Sequence, residues 1–170
     1  SYDVEEWPAT YGLYFIQDRN HPEFASAISI LTYMSFEEVQ KWSNSFNTVA
    51  KENPRGEEYE SFKTLKAEKL LSRVRQKFPH IVNAVDVYYV ATPITNRDYI
   101  GNSDGNMYGT VKKHTEMPQI MISSRTKIAN LFFTGQCMNL HGILGTSLSA
   151  ILCGMYILND EDLIENIRNA

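Results

Sequence analysis

The chain has 170 residues, of which 43% are hydrophobic and 21% charged, and its net charge is −4. That length suffices for one ordinary domain core or for pieces of two, and the apolar share excludes wholesale disorder. The 16 basic residues are scattered and outnumbered by 20 acidic ones, so there is no electrostatic footprint for nucleic acid.

The N-terminal "SYDVEEWPAT" is acidic and lacks an apolar stretch, so it does not read as a signal peptide. With no initiator Met, the chain reads as a processed or excised piece of a longer one. Residues 11–18 ("YGLYFIQD") are short, aromatic and β-branched and predict a strand. "HPEF" breaks it, and residues 25–34 ("ASAISILTYM") predict a second, antiparallel strand. Ser35 followed by Glu38 is a capping box, with Phe36, Val39 and Trp42 then recurring at helical spacing. "KENPRGEE" is a polar loop.

The longest predicted helix covers about residues 57–78. Ala67, Leu70, Leu71, Val74 and Phe78 form one apolar stripe, and acidic residues lie early and basic ones late, as the helix dipole favours. Pro79 ends it. Residues 81–92 ("IVNAVDVYYVAT") predict a strand. It runs into a Pro-, Gly-, Asn- and Asp-rich segment with an Asp104-Gly105 turn, long enough to need a function or a hidden short helix. Residues 118–124 ("PQIMISS") and 130–135 ("NLFFTG") predict further strands, the latter buried on both faces. Residues 143–158 are apolar but only 16 long, short of the roughly 20 a spanning helix needs, and predict a buried core helix. Strands and helices alternate without a βαβ rhythm, so the expected class is α+β, a mixed or antiparallel sheet with packed helices.

Cys137 and Cys153 are the two cysteines, and their apolar surroundings predict buried free thiols in a reducing, cytoplasmic compartment. His21, His80, His114 and His141 have no metal-ligand spacing.

The segment "LFFTGQCMNLHGILGTSLSAILCGMYIL" concentrates Gly135, Gly142 and Gly145 between an apolar run and an apolar helix starting near Thr146. Glycine is required where the backbone takes unusual dihedrals or a ligand approaches closely. The first N–H groups of the helix lack internal partners and carry partial positive charge, suiting a carbonyl, a phosphate or a flavin edge. A tight turn that merely lets strand and helix pack explains the glycines as well. The small residues Ser147, Ala150, Cys153 and Gly154 permit close packing in either case.

"NLFFTGQCMNLHGILGTSLSAILCG" resembles the C-terminal flavin-binding segment of the phytoene desaturase, carotenoid isomerase and retinol saturase family of FAD-dependent oxidoreductases. Upstream, "YESFKTLKAEKLLSRVRQKFP" followed by "VATPITNRDYIGNSDGNMYG" is similar to the helix, strand and T-P-x-T-x-x-x-Y segment of saturase-like members. The likeness covers about residues 59–158. It implies part of a two-domain flavoprotein of the amine-oxidase-like FAD/NAD(P)-binding architecture. Residues 1–125 would belong to the substrate-binding domain and residues 126–170 would close the FAD-binding domain.

By the same resemblance, FAD would contact Gly135, Gln136, Gly142, Ile143, Leu144, Gly145 and Thr146. Gly135 and Gln136 would sit by its ribityl or pyrophosphate part, and the helix start by the pyrimidine edge of its ring. Backbone amides there would stabilise negative charge on the reduced ring. His141 is a candidate to polarise substrate or pass a proton, although a loop histidine more often bonds backbone. Thr92, Thr95 and Tyr99 are candidates to line a substrate cavity, and serve equally as turn and core residues. Met107, Met117, Met121 and Met138 suit an apolar tunnel or ordinary packing.

An FAD enzyme of this class needs G-x-G-x-x-G after a strand to hold the pyrophosphate. These 170 residues contain no such motif. The expectation is therefore the C-terminal portion of an oxidoreductase acting on an apolar polyene or lipid, inactive alone and completed by an N-terminal dinucleotide-binding part. NAD(P) as a second cofactor, peripheral membrane contact and self-association through uncovered apolar surface are all compatible with it. The alternatives are an amine-oxidase-like flavoenzyme and a non-catalytic α+β binding module.

Overall fold

The computed structural model describes residues 2–82, 84–109, 115 and 122–170. It divides into two compact units, Ser1–Asn106 and Met107–Ala170. Among the described residues the class is α+β, with one two-stranded antiparallel sheet and several helices.

In the first unit, β1 (Gly12–Gln17) pairs antiparallel with β2 (Ala25–Leu31), Gly12 opposite Leu31 and Phe15 opposite Ile28. Asp18 shapes the connection, its carboxylate accepting the amides of Asn20 (2.7 Å) and His21 (2.9 Å); this is the local bond that makes Asp a turn former. Tyr14, Phe15 and Ile16 are exposed, while Leu13, Ile28 and Ile30 are half-buried.

Ser35 caps a 3₁₀ helix, Phe36–Trp42, by accepting the Glu37 amide at 3.3 Å. The reciprocal box expected between Ser35 and Glu38 is not the cap that forms. The Glu38 carboxylate turns away to pair with Lys66 and to accept the Tyr2 hydroxyl. Both side chains of the Glu38–Lys66 pair are 10% exposed, and the Lys66 ammonium lies over the Trp7 ring at 4.4 Å.

Helix α1 (Glu57–Lys77) follows the predicted stripe, with Val74 buried and Ala67, Leu70 and Leu71 half-buried, while Phe78 stays exposed. Its N-terminal half meets the core of this unit: Val39, Trp42, Tyr59 and Ile94, flanked by Met34, Phe36 and Phe62. Trp42 and Tyr59 meet edge-on with centroids 5.0 Å apart, a geometry the ring quadrupoles favour.

The strand expected over residues 81–92 does not form among the described residues. Pro79–Val82 makes a short helical turn, α2, and residues 85–92 run without a ladder partner, Tyr89 being 94% exposed. β-propensity reports fitness for a half-buried pleated surface, and among the described residues no neighbouring strand supplies one. The irregular segment after it does hide a helix, α3 (Pro93–Ile100). Thr92 and Thr95 form a reciprocal capping box, and Pro93 opens the helix where its missing N–H costs nothing.

The Tyr59 hydroxyl bonds Thr92 Oγ1 at 2.8 Å, tying α1 to the α3 cap. Tyr59→Phe should lower the unfolding free energy by about 1 kcal/mol in urea melts. Asp104 and Gly105 both take positive φ (53° and 62°) in the following turn. A Cβ at Gly105 would fall 1.7 Å from the Pro93 carbonyl oxygen, so only glycine fits there.

In the second unit, residues 118–121 of one predicted strand lie outside the described residues, and residues 122–124 are irregular. "NLFFTG" is not a buried strand either. It closes a local turn through one antiparallel bridge, Arg125 to Phe132, with Phe133 N–H donating to Ser124 O at 2.8 Å. Asn130 sits at φ 61°, and Thr126 Oγ1 bonds the Leu131 carbonyl at 2.8 Å. These local bonds satisfy the backbone without a sheet, leaving Leu131 and Phe133 exposed.

Helix α4 (Gly142–Leu158) starts a turn earlier than Thr146, and α5 (Leu163–Asn169) follows Asn159, which ends α4 in the left-handed conformation. Its packing inverts the expectation of a buried apolar helix. The buried face is Gly145, Ser149 and Cys153, while Ile143 (91%), Leu144 (71%) and Leu158 (64%) are exposed. Small side chains let backbone approach backbone on one side and leave the large aliphatics facing outward. Among the described residues no single helix is long and apolar enough to cross a membrane, and α4 with α5 pass that test only together, across a 113° bend. Of the two free thiols Cys153 is buried as expected, whereas Cys137 is exposed in the loop before α4.

Candidate functional site

The site follows from how the chain enters α4. Gly135 has φ 113° and donates its amide to Ser149 Oγ at 3.0 Å, which also meets Thr134 Oγ1 at 3.3 Å. Ser149 is 2% exposed, so the end of the apolar run is pinned to the second turn of the helix. This anchor escaped the sequence reading. Its signal was the i, i+4, i+8 recurrence of small residues at Gly145, Ser149 and Cys153.

Gly145 lies where a Cβ would stand 2.3 Å from the Leu140 carbonyl carbon and 2.4 Å from its oxygen. The loop therefore folds directly back over the helix. At Gly135 and Gly142, by contrast, a Cβ would meet no heavy atom within 4 Å among the described residues. Both hold positive φ, 113° and 76°, and open space adjoins their backbone.

His141 is the residue before the helix, with extended backbone (φ −101°, ψ 174°) and no side-chain bond to the first turn. Its ring instead lies against Tyr108, centroids 4.3 Å apart and planes at 34°. Gln136 Nε2 donates to Met107 O at 3.2 Å, and Asn139 Nδ2 donates to Ile122 O at 3.3 Å while its Oδ1 accepts the Ile122 amide at 2.9 Å.

The seven residues expected to meet a cofactor thus belong to one loop-and-helix unit. Gly135, Gly142 and Gly145 take the strained or crowded backbone positions, and Ile143, Leu144 and Thr146 stand exposed around the uncapped helix start. Gln136 is half-buried with its amide turned to the backbone. What this arrangement offers chemically is a set of first-turn amide hydrogens that the His141 side chain does not cap, rimmed among the described residues by apolar groups.

Thr92, Thr95 and Tyr99 lie in the first unit. The two threonines are brought together at the α3 cap under Tyr59, and Tyr99 accepts the Val49 amide at 2.9 Å. Met138 is buried and Met107 half-buried, whereas Met117 and Met121 lie outside the described residues. Among the described residues no group of three or more His, Cys, Asp or Glu is placed to hold a metal ion.

A polar cluster that sequence did not reveal is Asp98 with Arg55 and Arg97. The Asp98 side chain is 0% exposed and that of Arg55 3%. Arg97 donates to Asp98 Oδ1 at 2.7 and 3.0 Å, and the Asn47 amide donates to Oδ2 at 2.8 Å. Burial pushes the Asp98 carboxyl up, but the Asn47 amide and the two guanidinium groups outweigh it and hold it below its ordinary value. Arg55 stands 43 residues away in sequence, and no motif marks the pair.

No protein-family model and no solved structure matches the chain. It is 28% identical over 137 residues to the all-trans-retinol 13,14-reductase of Danio rerio, covering 79% of this chain and 22% of that protein. The Homo sapiens protein of the same name is 29% identical over 147 residues, 85% of this chain and 23% of that protein. The Rattus norvegicus protein is 29% identical over 136 residues, 78% and 22%. The chain therefore spans less than a quarter of the length of the curated relatives it matches. The family resemblance carried by the glycine stretch is thus met, over about four-fifths of the chain, by homology to the all-trans-retinol 13,14-reductases, the retinol saturases.

Proposed function

We propose that this chain is part of an FAD-dependent oxidoreductase that saturates, desaturates or isomerises C=C bonds of an apolar, retinol-like polyene. Within it, residues 1–125 contribute to the substrate-binding domain and residues 126–170 close the FAD-binding domain. The observation that carries this reading is the homology to all-trans-retinol 13,14-reductases along most of the chain. The geometry at the head of α4 supports it. Open space beside Gly135 and Gly142, an uncapped helix start and a rim of exposed Ile143 and Leu144 fit the edge of a planar, electron-rich ring.

When bound, the flavin would supply hydride transfer, and NAD(P) is a candidate source of reducing equivalents. The chain's own residues hold and orient. The first-turn amides of α4, from Ile143 to Thr146, would favour negative charge on the ring edge. Gly135 and Gly142 let backbone approach where a side chain would obstruct. Leu144 and Ile143 would exclude water from the contact. His141 would stand at the same edge and is the candidate to polarise substrate or pass a proton.

The division of labour makes a direct test. The 170 residues lack the G-x-G-x-x-G that grips a pyrophosphate, so titration of the isolated chain with FAD, followed by flavin fluorescence, should give weak binding or none. A longer polypeptide joining this chain to a dinucleotide-binding part should retain flavin through purification and turn over a retinol-like polyene. Submicromolar FAD affinity in the isolated chain would overturn the proposed partition. A longer protein devoid of flavin would return the glycine loop to a purely structural role.

A further inference from the structure

We infer that Tyr108 is a positioning residue for the loop at residues 135–142, acting through the His141 ring. The inference rests on the flavin-site reading for its consequence, and on three neighbouring contacts for its geometry. Met107 O accepts the Gln136 amide at 3.2 Å, the Tyr108 ring lies 4.3 Å from that of His141, and Gly109 leaves the space where a Cβ would fall 2.8 Å from Cys137 Cβ. One tripeptide therefore grips the loop near its start and at its end. The middle of the loop is held separately, by the paired bonds between Asn139 and Ile122.

Of these contacts the ring pair alone reaches the residue that opens α4. His141 makes no cap bond, so the helix does not fix its ring. The backbone turns sharply there, from extended at His141 to φ 76° at Gly142. Freedom at that turn would swing the amide hydrogens of the first turn away from a ligand. Aromatic pairs prefer a limited set of offset geometries, and Tyr108 imposes one of them on His141. The contact is ring on ring, so phenylalanine would keep it and an aliphatic side chain would not.

The experiment uses the full-length flavoprotein containing this chain, with FAD dissociation constants, visible flavin spectra and hydrogen exchange at the amides of residues 142–145. Tyr108→Phe should match wild type. Tyr108→Leu and His141→Leu should each weaken FAD binding about fivefold, the scale of one aromatic pair, shift the flavin band and speed exchange. The double variant should be no weaker than the worse single one, because both remove the same contact. Wild-type affinity and exchange in Tyr108→Leu, or additive losses in the double variant, would overturn the inference. If the wild-type protein holds no flavin, the site reading fails while hydrogen exchange still decides whether Tyr108 orders the turn. If Tyr108→Leu yields no folded protein, His141→Leu is compared with His141→Phe, and equal exchange in those two overturns it.

Discussion

Gly145→Ala is expected to destabilise the protein by about 2–3 kcal/mol, while Gly154→Ala, nine residues along the same helix, should be neutral or stabilising by up to about 1 kcal/mol. Helix propensity alone predicts a gain for both, since glycine inside a helix costs roughly 1 kcal/mol relative to alanine. Sterics separate them. At Gly145 the added Cβ would stand 2.3 Å from the Leu140 carbonyl carbon and 2.7 Å from its Cβ. Those are mostly backbone atoms of the chain entering the helix, so relief requires lifting the whole loop. At Gly154 the nearest atom is Leu163 Cδ2 at 3.1 Å, the far end of a flexible side chain that can rotate away. Urea melts of the two variants give the stabilities, and on the proposed flavin-site reading Gly145→Ala in a longer polypeptide should also weaken flavin retention. Equal stability of the two variants would mean that the Leu140–Gly145 contact does not hold the loop.

How much of this was legible beforehand follows from where the determining interactions lie. The hairpin and α1 are set by local patterning: aromatic and β-branched runs around an Asp turn, and an apolar stripe with dipole-matched charges. The glycine stretch was legible as a backbone requirement, because Gly135, Gly142 and Gly145 each take a position that penalises a side chain. Residues 81–92 misled because their β-propensity finds no partner strand among the described residues, while the Thr92–Thr95 cap and Pro93 start a helix at their end. The burial of α4 was read from hydrophobicity, yet Gly145, Ser149 and Cys153 turn inward and Ile143 and Leu144 outward. Hydrophobicity says that a surface should be covered, not which neighbour covers it. Ser149 was hidden for a related reason: its partner, the Gly135 amide, lies in a loop whose path has no periodic signature.

The largest loss of stability is expected from Asp98→Ala, about 3–5 kcal/mol. The change removes a carboxylate with a side-chain exposure of 0% and leaves the Arg55 guanidinium, at 3%, without its counter-charge. It also orphans the Asn47 amide, which donates to Oδ2 at 2.8 Å. Replacing the pair together, Asp98→Leu with Arg55→Met, should cost less, because the Arg55 charge is removed with its partner and only the partly exposed Arg97 and the Asn47 amide lose the carboxylate. The same carboxylate sets an acid limit. Burial opposes its ionisation, but the Asn47 amide, Arg97 and Arg55 favour it more, and the folded pKa lies below the unfolded one. Ionised Asp98 therefore contributes its stability in full above the unfolded value of about 3.9. That contribution shrinks as pH falls through the folded pKa and is absent below both. Urea melts should accordingly show wild type losing an increment of stability between neutral pH and strong acid that Asp98→Asn lacks. Parallel loss in the two proteins would assign the acid sensitivity elsewhere and reduce the cluster to a neutral packing contact.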